Sequence, residues 1–276
     1  MTETAIHVEA GSAILGPLIV HSAAASHVGR VRALNEDSVL NSTRAALWAV
    51  ADGMGGHQRG VYASAAIVHA LGAVAPPESA PAFLAEVRMR LDAVNRELRA
   101  EAAGDGGPVA STVICLLLFG WSFACVWAGD SRLYLARDGR LHQVSRDHSA
   151  VQEMVDAGVL SPAEAAGHPR GNEVTRAVGA YDTLDLELKQ GRVQPGDLFL
   201  LCSDGLTRHL SDPEILARLG EPSPSAAVEA LIAAALERGG TDNVSAIAVR
   251  CVANAETADE TTQVLKRRAG GGLPVA

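Results

Sequence analysis

Val109-Ala110-Ser111-Thr112-Val113-Ile114-Cys115-Leu116-Leu117-Leu118-Phe119-Gly120-Trp121-Ser122-Phe123-Ala124-Cys125-Val126-Trp127-Ala128 carries no charged residue and is about as long as a membrane-spanning helix. Its centre decides against a span. Phe119-Gly120-Trp121-Ser122 is turn chemistry between two β-rich halves, 112–118 and 123–127, and no basic flank supplies a topology signal. The segment therefore reads as a buried β-hairpin. Downstream, strands are expected at 132–137 and 141–144, joined by the turn pair Asp138-Gly139. Upstream, apolar 46–51 reads as a strand returning from 38–41 through Asn41-Ser42-Thr43-Arg44, after an opening strand over 14–21.

The text between these strands changes period. Alanine-rich 61–74, ended by Pro76-Pro77, predicts a helix, and Phe83, Val87, Leu91, Val94 and Leu98 recur at helical steps within a second, 81–102. Residues 145–179 read as an excursion from the sheet, a flap. In it, Ser149-Ala150-Val151-Gln152 is a capping box opening a helix closed by Gly158, and Ser161-Pro162-Ala163-Glu164 starts a shorter one. Strands return at 184–192 and 197–202, helices at 212–219 and 224–238, and a last strand at 244–252. Runs of strands followed by runs of helices, with hairpin connections, predict antiparallel sheets covered by helices in an α+β domain. That domain spans 1–253; the polar, glycine-containing 254–276 reads as a disordered tail.

With 48% apolar residues over 276, the chain can fill a core. Its 32 acidic against 23 basic residues, net −9, argue against a nucleic-acid binder. Cys115, Cys125, Cys202 and Cys251 sit singly in apolar runs and read as reduced core residues rather than zinc ligands. Met1-Thr2-Glu3-Thr4 has neither the basic start nor the apolar stretch of a secretory signal, so the expected location is cytoplasmic, with no membrane association.

Carboxylates stand at the mouths of the strand-like runs: Asp52-Gly53, Asp130, Asp204-Gly205 and Asp242-Asn243. A folded sheet would gather them. Hard divalent cations such as magnesium or manganese are held by a few carboxylates plus water, and glycine after Asp52 lets a backbone carbonyl approach as a further ligand. Two such ions can clamp a phosphoryl group for in-line attack. Arg32, in the loop that also carries Glu36 and Asp37, offers the planar fork that suits phosphate oxygens. Each tract alone is ordinary turn text; together and in order they are not.

Arg32-Ala33-Leu34-Asn35-Glu36-Asp37, Asp52-Gly53-Met54-Gly55-Gly56, Gly129-Asp130-Ser131-Arg132, Arg146-Asp147-His148-Ser149, Val174-Thr175-Arg176-Ala177-Val178-Gly179, Ser203-Asp204-Gly205 and Thr241-Asp242-Asn243 resemble, in sequence order, the metal-dependent PP2C-type (PPM) serine/threonine protein phosphatases of the bacterial branch. The resemblance spans about 29–252. It implies a four-layer αββα sandwich with two manganese or magnesium ions in the cleft. Asp52 would bridge both ions, the Gly53 carbonyl would hold one, and Asp204 and Asp242 would complete the other. Glu36 and Asp37 would act through water, Arg32 would grip the substrate phosphate, and Asp130 would hold a weaker third ion.

The implied activity is hydrolysis of protein phosphoserine and phosphothreonine by a hydroxide shared between the ions, opposing a bacterial Ser/Thr kinase. Eukaryotic relatives carry a histidine where this chain has Met54; a thioether donates no proton, so protonation of the leaving group falls to water. His57, His148 and His168 read as structural or solvated. In the tail, Asp259-Glu260-Thr261-Thr262-Gln263-Val264 resembles the phosphothreonine motifs read by forkhead-associated domains. The rival readings are a silent phosphoprotein-binding module and a phosphatase dedicated to one regulatory switch protein.

Overall fold

The structure is a computed structural model that describes residues 6–56, 58–103, 107–165, 168–171 and 173–255. Its strands are β1 (Glu9–Leu15), β2 (Leu18–His27), β3 (Asp37–Ser42), β4 (Leu47–Met54), β5 (Ala110–Ser111), β6 (Val113–Phe119), β7 (Ser122–Ala128), β8 (Arg132–Arg137), β9 (Arg140–Gln143), β10 (Glu187–Arg192), β11 (Leu198–Cys202) and β12 (Val244–Ala253). Its helices are α1 (Gln58–Gly72), α2 (Ala80–Ala102), α3 (Ala150–Asp156), α4 (Pro162–Ala165), α5 (Asp204–Thr207), α6 (Asp212–Leu219) and α7 (Pro224–Glu237). One sheet runs β1-β2-β12-β11-β8-β9 and the other β10-β7-β6-β4-β3, with β5 beside β4, and the described strand pairs are antiparallel.

Alternation within single strands builds three cores. In β4, Trp48 and Val50 face the other sheet while Leu47, Ala49 and Ala51 face α1 and α2. In β11, Phe199 and Leu201 join the core between the sheets, whereas Leu198, Leu200 and Cys202 pack under α6 and α7. Both faces of these central strands are covered, which explains why they read as continuous apolar runs. The layers are helix, sheet, sheet, helix, the expected αββα sandwich. All four cysteines are free and buried.

The charge-free segment is the hairpin β6–β7, turned by Gly120 at φ +54°. Three expectations are corrected. Residues 14–21 are not one strand but the end of β1, a turn at Gly16 (φ +63°) and Pro17, and the start of β2. β1 is a half-exposed edge, so its apolar alternation is faint. The strand expected over 184–192 begins only at Glu187. The capping box of α3 is half made: Ser149 accepts from the Gln152 N–H, but the Gln152 amide turns forward to Asp156.

The described residues of 145–179 lie outside both sheets, with bridges Ser149 to Val174 and Ser111 to Val178 at their root. His148 is structural, as expected. Its ring stacks on Trp127, with centroids 5.9 Å apart, and its Nδ1 accepts the Gly129 N–H at 3.2 Å. His57 and the threonine motif of the tail lie outside the described residues.

Candidate metal centre

β3 and β4 pair so that Asp37 stands directly opposite Asp52, and the Gly53 N–H donates to the Glu36 carbonyl at 3.1 Å. The backbone of Asp52 is clamped from the β5–β6 side. Its carbonyl accepts from Ser111 Oγ and from the Thr112 N–H, both at 2.9 Å, and its N–H donates to Thr112 Oγ1 at 3.1 Å. Gly53 is required here, since a Cβ would lie 2.0 Å from the Gly60 carbonyl oxygen. Gly129, at φ +119°, brings the loop after β7 against Thr112 and so delivers Asp130.

The second sheet supplies the rest. Asp204 is the first residue of α5, just beyond β11, and Asp242 lies just before β12. Asn243 ties this edge to the arginine loop: its Nδ2 donates to the Val28 and Leu34 carbonyls, and its Oδ1 accepts the Glu36 N–H at 2.8 Å. Arg32, Glu36, Asp52, Gly53, Met54, Asp130, Asp204, Arg208 and Asp242 thereby line one cavity of about 260 Å³. Asp37 sits behind it, its Oδ2 accepting from Ser203 Oγ at 2.8 Å and Ser245 Oγ at 2.6 Å.

So many acids in a shielded space resist ionisation. Burial raises Asp37 to about 7, with Asp204 and Asp242 adding to the rise against the two serine hydrogen bonds. Burial also lifts Asp130 to about 8, helped by Asp204 and Asp147. Asp52 is pushed well above the carboxylate range by burial and then by Asp37, Asp204, Asp130 and Asp242. Asp204 is raised by burial, with Arg208 opposing.

Two buried oxygens, Asp37 Oδ1 and Asp204 Oδ1, have no hydrogen-bond partner. Uncompensated buried carboxylate oxygens are costly, and a hard cation is the partner that satisfies them. The donor set therefore fits magnesium or manganese. Among the described residues no three acidic, histidine or cysteine side chains are already closed on one point. Asp242 Oδ2 instead accepts from Arg32 at 2.9 Å, and Asp204 Oδ2 from Arg208.

The site residues expected from the sequence line this cavity, except Asp37, which sits behind it. Five further contributors go beyond those expectations: Arg208, one helical turn after Asp204; Asn243 as the tie to the arginine loop; and the hydroxyls of Ser203, Ser245 and Thr112. Only Arg208 had a usable sequence signal, its i,i+4 spacing from an aspartate.

Known proteins agree with this geometry. The sequence profile of Protein phosphatase 2C matches residues 25–239. The serine/threonine protein phosphatase PstP of Mycobacterium tuberculosis is 38% identical over 232 residues, 83% of this chain and 45% of that protein, so the chain spans less than half of that relative's length. PppA of Pseudomonas aeruginosa, as a solved structure, is 44% identical with a TM-score of 0.79, covering 84% of this chain and 97% of that one. The catalytic domain of PstP in complex with two manganese ions is 36% identical with a TM-score of 0.78, covering 85% and 99%. On the matched profile, the shared sandwich and these identities, the chain belongs to the protein phosphatase 2C family.

Proposed function

We propose that this chain hydrolyses phosphoserine and phosphothreonine in proteins, using manganese or magnesium. Asp52, the Gly53 carbonyl, Asp204 and Asp242 would hold two ions, and Asp130 a weaker third. The observation that carries this reading is the convergence of those aspartates, from both sheets, on one cavity with Arg32 at its mouth. The family and the two manganese ions in the PstP catalytic domain support it. When bound, the ions supply charge against the phosphoryl oxygens and bring the pKa of water close to neutrality.

The chain's own residues do the rest. Arg32 exchanges Asp242 Oδ2 for a phosphate oxygen and orients the ester, a task that its fork and its half-exposed position suit. Asp37, fixed through Oδ2 by Ser203 and Ser245, and its neighbour Glu36 would act on the site through water. Met54 lines the cavity without a proton to give, so the leaving alkoxide takes its proton from solvent. Residues 145–179 act as a flap, bordering a second cavity of about 400 Å³ that shares Asp130, Asp204 and Arg208.

The partners of this reading are phosphorylated proteins and the bacterial Ser/Thr kinase that modifies them. A forkhead-associated domain would join only if Thr261 or Thr262 is phosphorylated. None of the described helices is long and apolar enough to cross a membrane. Hydrolysis of a chromogenic aryl phosphate tests the reading: manganese should support turnover, while chelator and Asp204→Asn should each remove it. Turnover indifferent to all three rejects the enzyme.

A further inference from the structure

Arg208 is the C-cap residue of the single-turn helix α5, and its N–H donates to the Asp204 carbonyl at 2.9 Å. One turn places its guanidinium on the side chain of Asp204, with Nη1 3.8 Å from Asp242 Oδ2. It borders both the acidic cavity and the neighbouring cavity under residues 145–179. Arg32 also reaches Asp242 but is half exposed, whereas the Arg208 side chain is 31% exposed. Asp204 thus has one oxygen held by Arg208 and the other bare.

We propose that Arg208 is a resident counter-cation of the metal cavity. It neutralises Asp204 and Asp242 while no metal is present and stabilises that state. It also raises the manganese concentration needed for loading, because its charge repels a dication at the same carboxylates. The inference rests on the metal-site reading given above. It makes Arg208 a device that sets the metal threshold, not a group that touches substrate.

Manganese titrations by calorimetry and thermal denaturation in chelator, on the whole chain, test it. Arg208→Met should lower the metal-free Tm by several degrees and tighten manganese binding tenfold or more; Arg208→Lys should stay near wild type in both. Weaker manganese binding in Arg208→Met, or no change in either quantity, overturns the proposal. So does loss of inorganic phosphate binding by the manganese-loaded Arg208→Met protein at unchanged manganese affinity, which would make Arg208 a phosphate contact. A wild-type protein that takes up no manganese defeats the metal-site reading instead; the metal-free Tm of Arg208→Met would still decide whether Arg208 offsets the acids.

Discussion

Asp37 and Asp52 are direct cross-strand partners in the β3–β4 ladder, Asp37 buried and Asp52 partly buried. Opposed like charges normally weaken a sheet. This pair persists because hydroxyls hold Asp37 from behind, the backbone of Asp52 is clamped by Ser111 and Thr112, and the cavity in front admits a cation.

The first prediction is a pH dependence that metal reverses. In the unfolded chain these aspartates ionise near pH 4, whereas in the metal-free fold Asp37 lies at about 7, Asp130 at about 8, and Asp52 and Asp204 are also raised. Between those limits the folded state holds protons that the unfolded state has lost. The contribution of these groups is therefore full below about pH 4 and is lost as pH rises to about 8. Thermal denaturation in chelator should give a Tm that falls from pH 5 to 8.5, and saturating manganese should flatten the slope. A chelated protein whose Tm climbs across that range would contradict the assignment.

Neutralising one member of the pair separates stability from activity. Asp52→Asn replaces an acid that the metal-free fold must keep protonated between Asp37, Asp130, Asp204 and Asp242 with a neutral amide, so the metal-free variant should melt higher than wild type. Phosphatase turnover should fall on the order of 10²–10³-fold or more. Denaturation in chelator beside a manganese-dependent assay reads both. A variant that melts lower and retains turnover would remove Asp52 from the centre of the site.

Much of this arrangement is legible in the sequence. Central strands such as β4, β6 and β11 announced themselves because both their faces are buried, and the turn chemistry at Phe119-Gly120-Trp121-Ser122 separated a hairpin from a span. β1 is not legible in the same way, because an edge strand buries too little to impose a pattern. The aspartates stood out because they adjoin strand ends, where turn geometry marks them. Asn243, Ser203 and Ser245 act by hydrogen bonds between residues tens to hundreds of positions apart, and local spacing does not encode those partners.

Arg32 is predicted to act on substrate binding. Its guanidinium is half exposed at the mouth and anchored only to Asp242 among the described contacts, so Arg32→Ala should cost little stability. Loss of a charge-assisted hydrogen bond worth about 1.5–3 kcal/mol should appear mainly as a raised KM for aryl phosphate, roughly ten- to a hundredfold. Steady-state kinetics at saturating manganese decide it. A drop in kcat with KM unchanged would move Arg32 from ground-state binding to the transition state alone.

Gly205 tests whether the two halves of the metal cavity are held together by backbone contact. It follows Asp204 in α5, and a Cβ there would lie 1.9 Å from the Asn243 carbonyl oxygen, next to Asp242. Neither backbone can yield easily: Asn243 is tied to Val28, Leu34 and Glu36, and α5 is continuous with buried β11. Gly205→Ala should therefore destabilise the fold by about 1–3 kcal/mol through overpacking. It should also part Asp204 from Asp242, weakening manganese binding more than Arg32→Ala does. Denaturation with manganese calorimetry measures both effects. If Gly205→Ala kept wild-type stability and manganese affinity, close packing of α5 on the β12 entry would not be what sets the distance between those two aspartates.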